Sequence, residues 1–214
     1  MGLAISVGVL ADLLENDPEG AEWLEEGLAS ANQVLEAAGL PPHAEPRSFP
    51  AMASRASLCS FPYSFIHHLR RAYAHRLRDA GWTAQPLEDG ADPTRDPMLE
   101  AAQGTFESHL LCHSDAEGFY VPIDFADVLF SGDEEPALPG GMLGSSYRLL
   151  EELVLVAPAL GIELHAGVLS DDEAARVDGL ACGDSGLHRE YASWLSLHEA
   201  ARLSIQYRTA IVFS

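Results

Sequence analysis

From Gly118 onward the chain alternates, with Phe119, Val121, Ile123 and Phe125 on one side and Tyr120, Pro122 and Asp124 on the other. A period of two sends successive side chains to opposite faces of a strand, so this stretch has to be extended with one face on a core. Immediately before it, residues 109–117 gather His109, Cys112, His113, Asp115 and Glu117. Residues 106–113 also suit a strand, and Ser114 and Asp115 are ordinary turn formers. The pattern therefore predicts a hairpin over residues 106–125 with its loop at Ser114–Glu117. Pro122 cannot donate to a ladder, which places the second strand at a sheet edge.

Elsewhere the period is helical. Ala21, Leu24, Leu28, Ala31, Leu35 and Ala38 recur at three and four residues behind an Asp17-Pro18 start, and Gly39 with Pro41-Pro42 stops the run. A second helix is expected over Pro62–Ala80, with Phe65, Ile66, Leu69, Tyr73 and Leu77 as its apolar face. A short one follows Asp96-Pro97 through Gln103. Another runs from Ser145 or Ser146 to about Leu160, one starts at the Ser170–Glu173 capping box, and the last spans about Leu187 to Arg202. Residues 3–9 alternate and read as a strand or as the start of a helix reaching Leu14; residues 205–213 alternate and could close as a strand beside them. Residues 40–60, 82–97 and 131–144 read as loops. The expected fold is α+β: an α-rich single domain over 1–214 with a small antiparallel sheet.

Charge narrows the chemistry. The 214 residues hold 33 acids against 12 bases, a formal net charge of −21, and every base is arginine. Without lysine there is no Walker A lysine, no Schiff base and no lysine general base. A surface this acidic repels phosphate backbones and anionic headgroups, so neither nucleic acid nor a membrane is expected as a partner. A basic protein is the partner it suits; plain solubility and a high-salt cytoplasm are the alternatives. Three scattered cysteines, Cys59, Cys112 and Cys182, with no CxxC point to a reducing, cytoplasmic setting. No apolar run is long enough to span a bilayer, and the run Leu3–Leu10 lacks the basic n-region of a signal peptide. Met1-Gly2-Leu3-Ala4-Ile5-Ser6 fits a myristoylation pattern, with no polybasic patch to reinforce it.

Three constellations are candidate sites. On a strand or a helix, His109 and His113 share a face, and with Asp115 or Glu117 they could bind a divalent metal in a metal-dependent hydrolase. The spacing is neither HExxH nor paired CxxC, and a polar turn is the plain alternative. Cys112 or Ser114 could act as a nucleophile, but no G-x-S-x-G elbow or papain-like context is present. In the second helix Arg70, Arg71, Arg76 and Arg78 join His67, His68 and His75 as a positive face, for an anionic ligand or for internal compensation. Gly140-Gly141-Met142-Leu143-Gly144-Ser145-Ser146-Tyr147-Arg148 could bind a small anion at a helix start, although it matches neither a P-loop nor GxGxxG. His198, on an apolar helical stripe, reads as a core residue. The candidate ligand-binding set is His67, His109, His113, Asp115, Glu117, Tyr120 and Arg148, in a cleft where the 114–117 turn, the 131–144 loop and the Pro62–Ala80 helix meet. The metal set within it is His109, His113 and Asp115.

The runs Ser-Phe-Pro-Tyr-Ser-Phe (60–65), Ser-His-Leu-Leu-Cys-His-Ser-Asp-Ala-Glu-Gly-Phe-Tyr-Val-Pro (108–122) and Gly-Gly-Met-Leu-Gly-Ser-Ser-Tyr-Arg-Leu (140–149) resemble those of a group of uncharacterised bacterial proteins of about this length. That group has no established activity, so the resemblance implies a bacterial, cytosolic, single-domain protein and assigns no site. The sequence thus reads first as a cytoplasmic binding protein, immunity-type or regulatory, for a basic protein partner, rather than as an enzyme. The metal-dependent hydrolase is the alternative, and the anion binder at Gly140–Arg148 is the second alternative. A divalent metal is the one cofactor these readings raise.

Overall fold

The computed structural model describes residues 2–88, 90–131 and 137–214. In chain order the elements are β1 (Leu3–Val7), α1 (Val9–Asn16), α2 (Pro18–Ala37), β2 (Ser60–Phe61), α3 (Ser64–Arg78), α4 (Pro97–Gln103), α5 (His109–Cys112), β3 (Gly118–Val121), β4 (Leu129–Phe130), β5 (Met142–Ser145), α6 (Ser146–Val156), β6 (Leu164–His165), β7 (Val168–Leu169), α7 (Asp171–Ala181), α8 (His188–Tyr207) and β8 (Ile211–Phe213). The fold is α+β, as expected. Apart from α1 and α5, the helices sit where the apolar periods put them, with Asp17, Asp96, Ser145 and Ser170 each capping the helix they precede.

One six-stranded sheet, ordered β2-β1-β8-β3-β5-β4, organises the core, and β6 and β7 form a separate pair. The two chain ends do pair: Ile5, Ser6 and Val7 of β1 lie opposite Phe213, Val212 and Ile211 of β8. Residues 205–207 belong instead to the last turn of α8, and the chain reverses at Arg208 in a left-handed conformation. The sheet is mixed rather than antiparallel, because β3 and β5 run parallel.

The expected hairpin over 106–125 is not formed. Ser108 accepts from the Leu111 N–H, and the Glu152 carboxylate accepts from the His109 and Leu110 N–H groups, so residues 109–112 close as a helical turn. β3 finds its partners far away in sequence, β8 on one side and β5 on the other. It is therefore interior, not an edge strand, and Pro122 ends it rather than lying within it. Because both of its faces are covered, alternation does not separate core from solvent. Phe119 and Val121 pack with Leu24, Leu28 and Leu35 of α2, whereas Tyr120 packs among Ile66, Leu69, Leu149, Leu153 and Trp194 of the α3, α6 and α8 layer. Helix α8 is buried nearly all round, and His198 within it stacks on Trp194 at 4.8 Å between ring centroids, a core residue as expected.

Two of the expected loops differ in kind. Residues 40–59 are irregular yet firmly tied down. The Asn32 side chain bonds both the N–H and the C=O of His43. Glu45 accepts from His43 Nε2 at 2.6 Å, from the Ala210 N–H at 2.7 Å and from the Thr209 hydroxyl. The 131–144 loop is shorter than expected, since residues 142–145 are β5; residues 132–136 of it lie outside the described residues. Gly144 explains why a strand can pass here, as any Cβ would fall inside the Tyr120 ring.

Candidate functional site

The 114–117 turn, the loop before β5 and helix α3 do meet. Arg70 of α3, itself buried, donates from Nε to Leu110 O at 2.9 Å and from Nη2 to His113 O. His67 Nε2 lies 2.9 Å from Asp115 Oδ2. Gly140, at φ 72°, lies so close to the turn that a Cβ there would strike the carbonyl of Glu117. The Glu117 residue itself is exposed.

The imidazoles, however, point inward and apart. The His109 Nδ1 accepts from the Ser145 N–H at 3.0 Å, which leaves the proton on Nε2, donating to Ala126 O at 3.1 Å. Both nitrogens are used, and burial lowers the pKa of this ring. His113 donates from Nδ1 to Ser114 O, stacks on Tyr120 at 4.2 Å and meets the Phe213 ring at 4.4 Å. Burial pushes its pKa down to about 3, so it is neutral at ordinary pH. The Tyr120 hydroxyl donates to His109 O at 2.9 Å and is fully buried. The predicted metal set His109, His113 and Asp115 is thus corrected: two members are locked in separate core sites and the third is paired with His67. Among the described residues no group of three His, Cys, Asp or Glu side chains is arranged to hold a metal.

The anion site expected at Gly140–Arg148 is corrected as well. Ser145 and Ser146 are fully buried, and their hydroxyls are committed to Ile123 O and to Ser204 Oγ. Arg148 is held between Asp124 and Glu151, each at 2.8 Å, away from the 114–117 turn. On α3, Arg71 and His75 both bind Asp96, Arg70 and Arg76 donate to backbone carbonyls, and the positive face is thus only partly compensated from within.

Two carboxylates with displaced pKa values, Glu152 and Glu199, were not anticipated. Burial raises the pKa of Glu152 to about 7 against the hydrogen bonds from Leu110, His109, Ser108 and Tyr73, which pull it down. Burial acts the same way on Glu199, but the nearby His198 ring and hydrogen bonds from Arg202 and Arg55 outweigh it and hold that carboxyl well below the usual range. Glu152 directly precedes Leu153 of the apolar set Leu149, Leu153, Val156, a position that could have flagged it.

What the fold leaves along α1 and α2 is negative charge. Arg55, Arg71, Arg148, Arg176 and Arg202 each bind one of the protein's own carboxylates. Residues 9–37, which make up α1 and α2, contain eight acids and no arginine. Only Glu25 of these is paired, with Arg47, among the described residues. Glu19, Glu22 and Glu26 stand exposed along α2. Their spacing of three and four residues corresponds to a rise of about 4.5 and 6 Å, between one and two times the roughly 3.4 Å per phosphate along a DNA strand.

A family model described as "Putative DNA-mimic protein" matches residues 1–213. The chain belongs to that family. No curated protein and no solved structure matches it. In this member of the family the acidity is unevenly spread: several arginines pair with the protein's own carboxylates, and neither α1 nor α2 carries a basic residue of its own. Among the described residues no helix is long and apolar enough to cross a membrane.

Proposed function

We propose that this protein occupies the nucleic-acid-binding surface of a basic DNA-binding protein, in an immunity-type or regulatory role, with the outer face of α1 and α2 standing in for a phosphate backbone. The observation that carries the reading is that face: Asp12, Glu15, Asp17, Glu19, Glu22, Glu26 and Glu36 are exposed with no basic residue on either helix. Family membership supports the class of partner. Like charge opposes direct binding to nucleic acid itself, which is why a protein partner is favoured. His109 has both ring nitrogens bonded, and His113 is packed against Tyr120 and Phe213 with its Nε2 enclosed and unbonded, so the pair offers no support to a metal-dependent hydrolase.

The test is competition. A protein captured from a lysate by the immobilised chain should be displaced by duplex DNA, and its affinity should fall steeply with salt because the attraction is between charges. Capture indifferent to both duplex DNA and salt would remove the proposal.

A further inference from the structure

Trp23 exposes 54% of its surface on α2, a helix with no basic residue of its own. Glu19 lies four residues before it and Glu26 three residues after it, so on a helix both are its lateral neighbours, while Glu22 is the next neighbour of Glu19 and Glu26. Among the described residues none of these three glutamates has an ion-pair partner, and no aromatic ring or cation covers the indole.

The same combination is filled elsewhere in this protein. The guanidinium of Arg71 lies 5.7 Å from the centre of the Trp82 ring and its Nε is 2.8 Å from Asp96 Oδ2. An indole face and a carboxylate together make a site for a guanidinium, which stacks on the ring and bonds the acid through its planar fork. Lysine fits such a site less well, being a compact and strongly hydrated point charge. Trp23 with Glu19, Glu22 and Glu26 supplies the acceptors of the Arg71 site without the cation.

Resting on the reading that the partner is a basic protein, we infer that this partner presents arginine rather than lysine to α2, and that Trp23 is the residue that makes the distinction. The charge complementarity of the face selects this occupant over a second copy of the chain, since two molecules at −21 each repel.

The experiment titrates the full chain with labelled octa-arginine and octa-lysine peptides at low salt, following anisotropy. The wild type should bind octa-arginine more tightly. Trp23→Ala should weaken octa-arginine by about two- to fivefold, the size of an exposed cation–π contact, and octa-lysine by less, so that the preference shrinks. Trp23→Phe should keep part of it. Trp23 is exposed, so the variant folds, and an unchanged circular dichroism spectrum verifies this. Replacing Glu19, Glu22 and Glu26 together by Gln should weaken both peptides. If Trp23→Ala leaves the preference untouched, or the triple variant binds both peptides as before, the inference is overturned while a basic partner elsewhere on the surface stands. If neither peptide binds the wild type, the basic-partner reading falls and the inference with it.

Discussion

Glu152 and His113 lie in the same packed region and pull the pH dependence of folding in opposite directions. Glu152 has its pKa raised from 4.5 to about 7, so between those values the folded chain holds a proton that the unfolded chain has lost. Its contribution to stability therefore falls as pH rises through that window, by an amount on the order of 3 kcal/mol. His113 is lowered from 6.5 to about 3, so there the unfolded chain holds the extra proton and stability rises with pH across that interval. Urea unfolding of the wild type and of Glu152→Gln from pH 4 to 8 should show the wild type losing ground against the variant as pH increases. A difference that is flat with pH would mean the carboxylate titrates normally. His113→Asn, compared in the same way, should lag furthest behind the wild type near neutrality and least near pH 3. His109 and His113 were legible in the sequence as a cluster, but their orientation was not. Which way each ring points is set by Ser145, Ala126 and Phe213, contributed by other parts of the chain.

Among the elements, the irregular segment 40–59 behaves as a strap held by ionic bonds rather than by a ladder. Arg55 donates from Nε and Nη2 to Glu199 Oε1, at 3.0 and 2.6 Å, and its Nη1 reaches Leu169 O and Asp171. Glu199 is 1% exposed. Arg55→Ala would leave that carboxylate with Arg202 as its remaining arginine, at a cost of about 2 kcal/mol or more. Limited proteolysis should then cut within residues 46–58 before the rest of the chain, and unchanged stability with an uncut strap would contradict this role. Helices α2, α3, α4 and α7 were readable because their periods and caps are local. The sheet was not, because β3 takes its neighbours from residues 142–145 and 211–213, and alternation within 119–125 carries no trace of either.

For the whole molecule, a net charge of −21 means that folding brings like charges together. Salt screens that repulsion. Raising NaCl from about 10 mM to about 0.5 M should raise the thermal midpoint by roughly 2–8 °C, corresponding to about 1–2 kcal/mol for a chain of this size. A midpoint that falls with salt would show that the internal pairs of Arg55, Arg71 and Arg202 outweigh the repulsion. The same salt should weaken partner binding, so stability and affinity are expected to move in opposite directions.

The sequence by itself determined most of the helices and the strongly negative charge, since local periodicity, caps and total charge need no knowledge of distant residues. Only the tertiary structure decided that the sheet is mixed, that the histidines of residues 109–113 face the core, and that the unpaired acids collect around Trp23 on α2. Those outcomes depend on which remote segments come together, and on which carboxylates capture the few arginines.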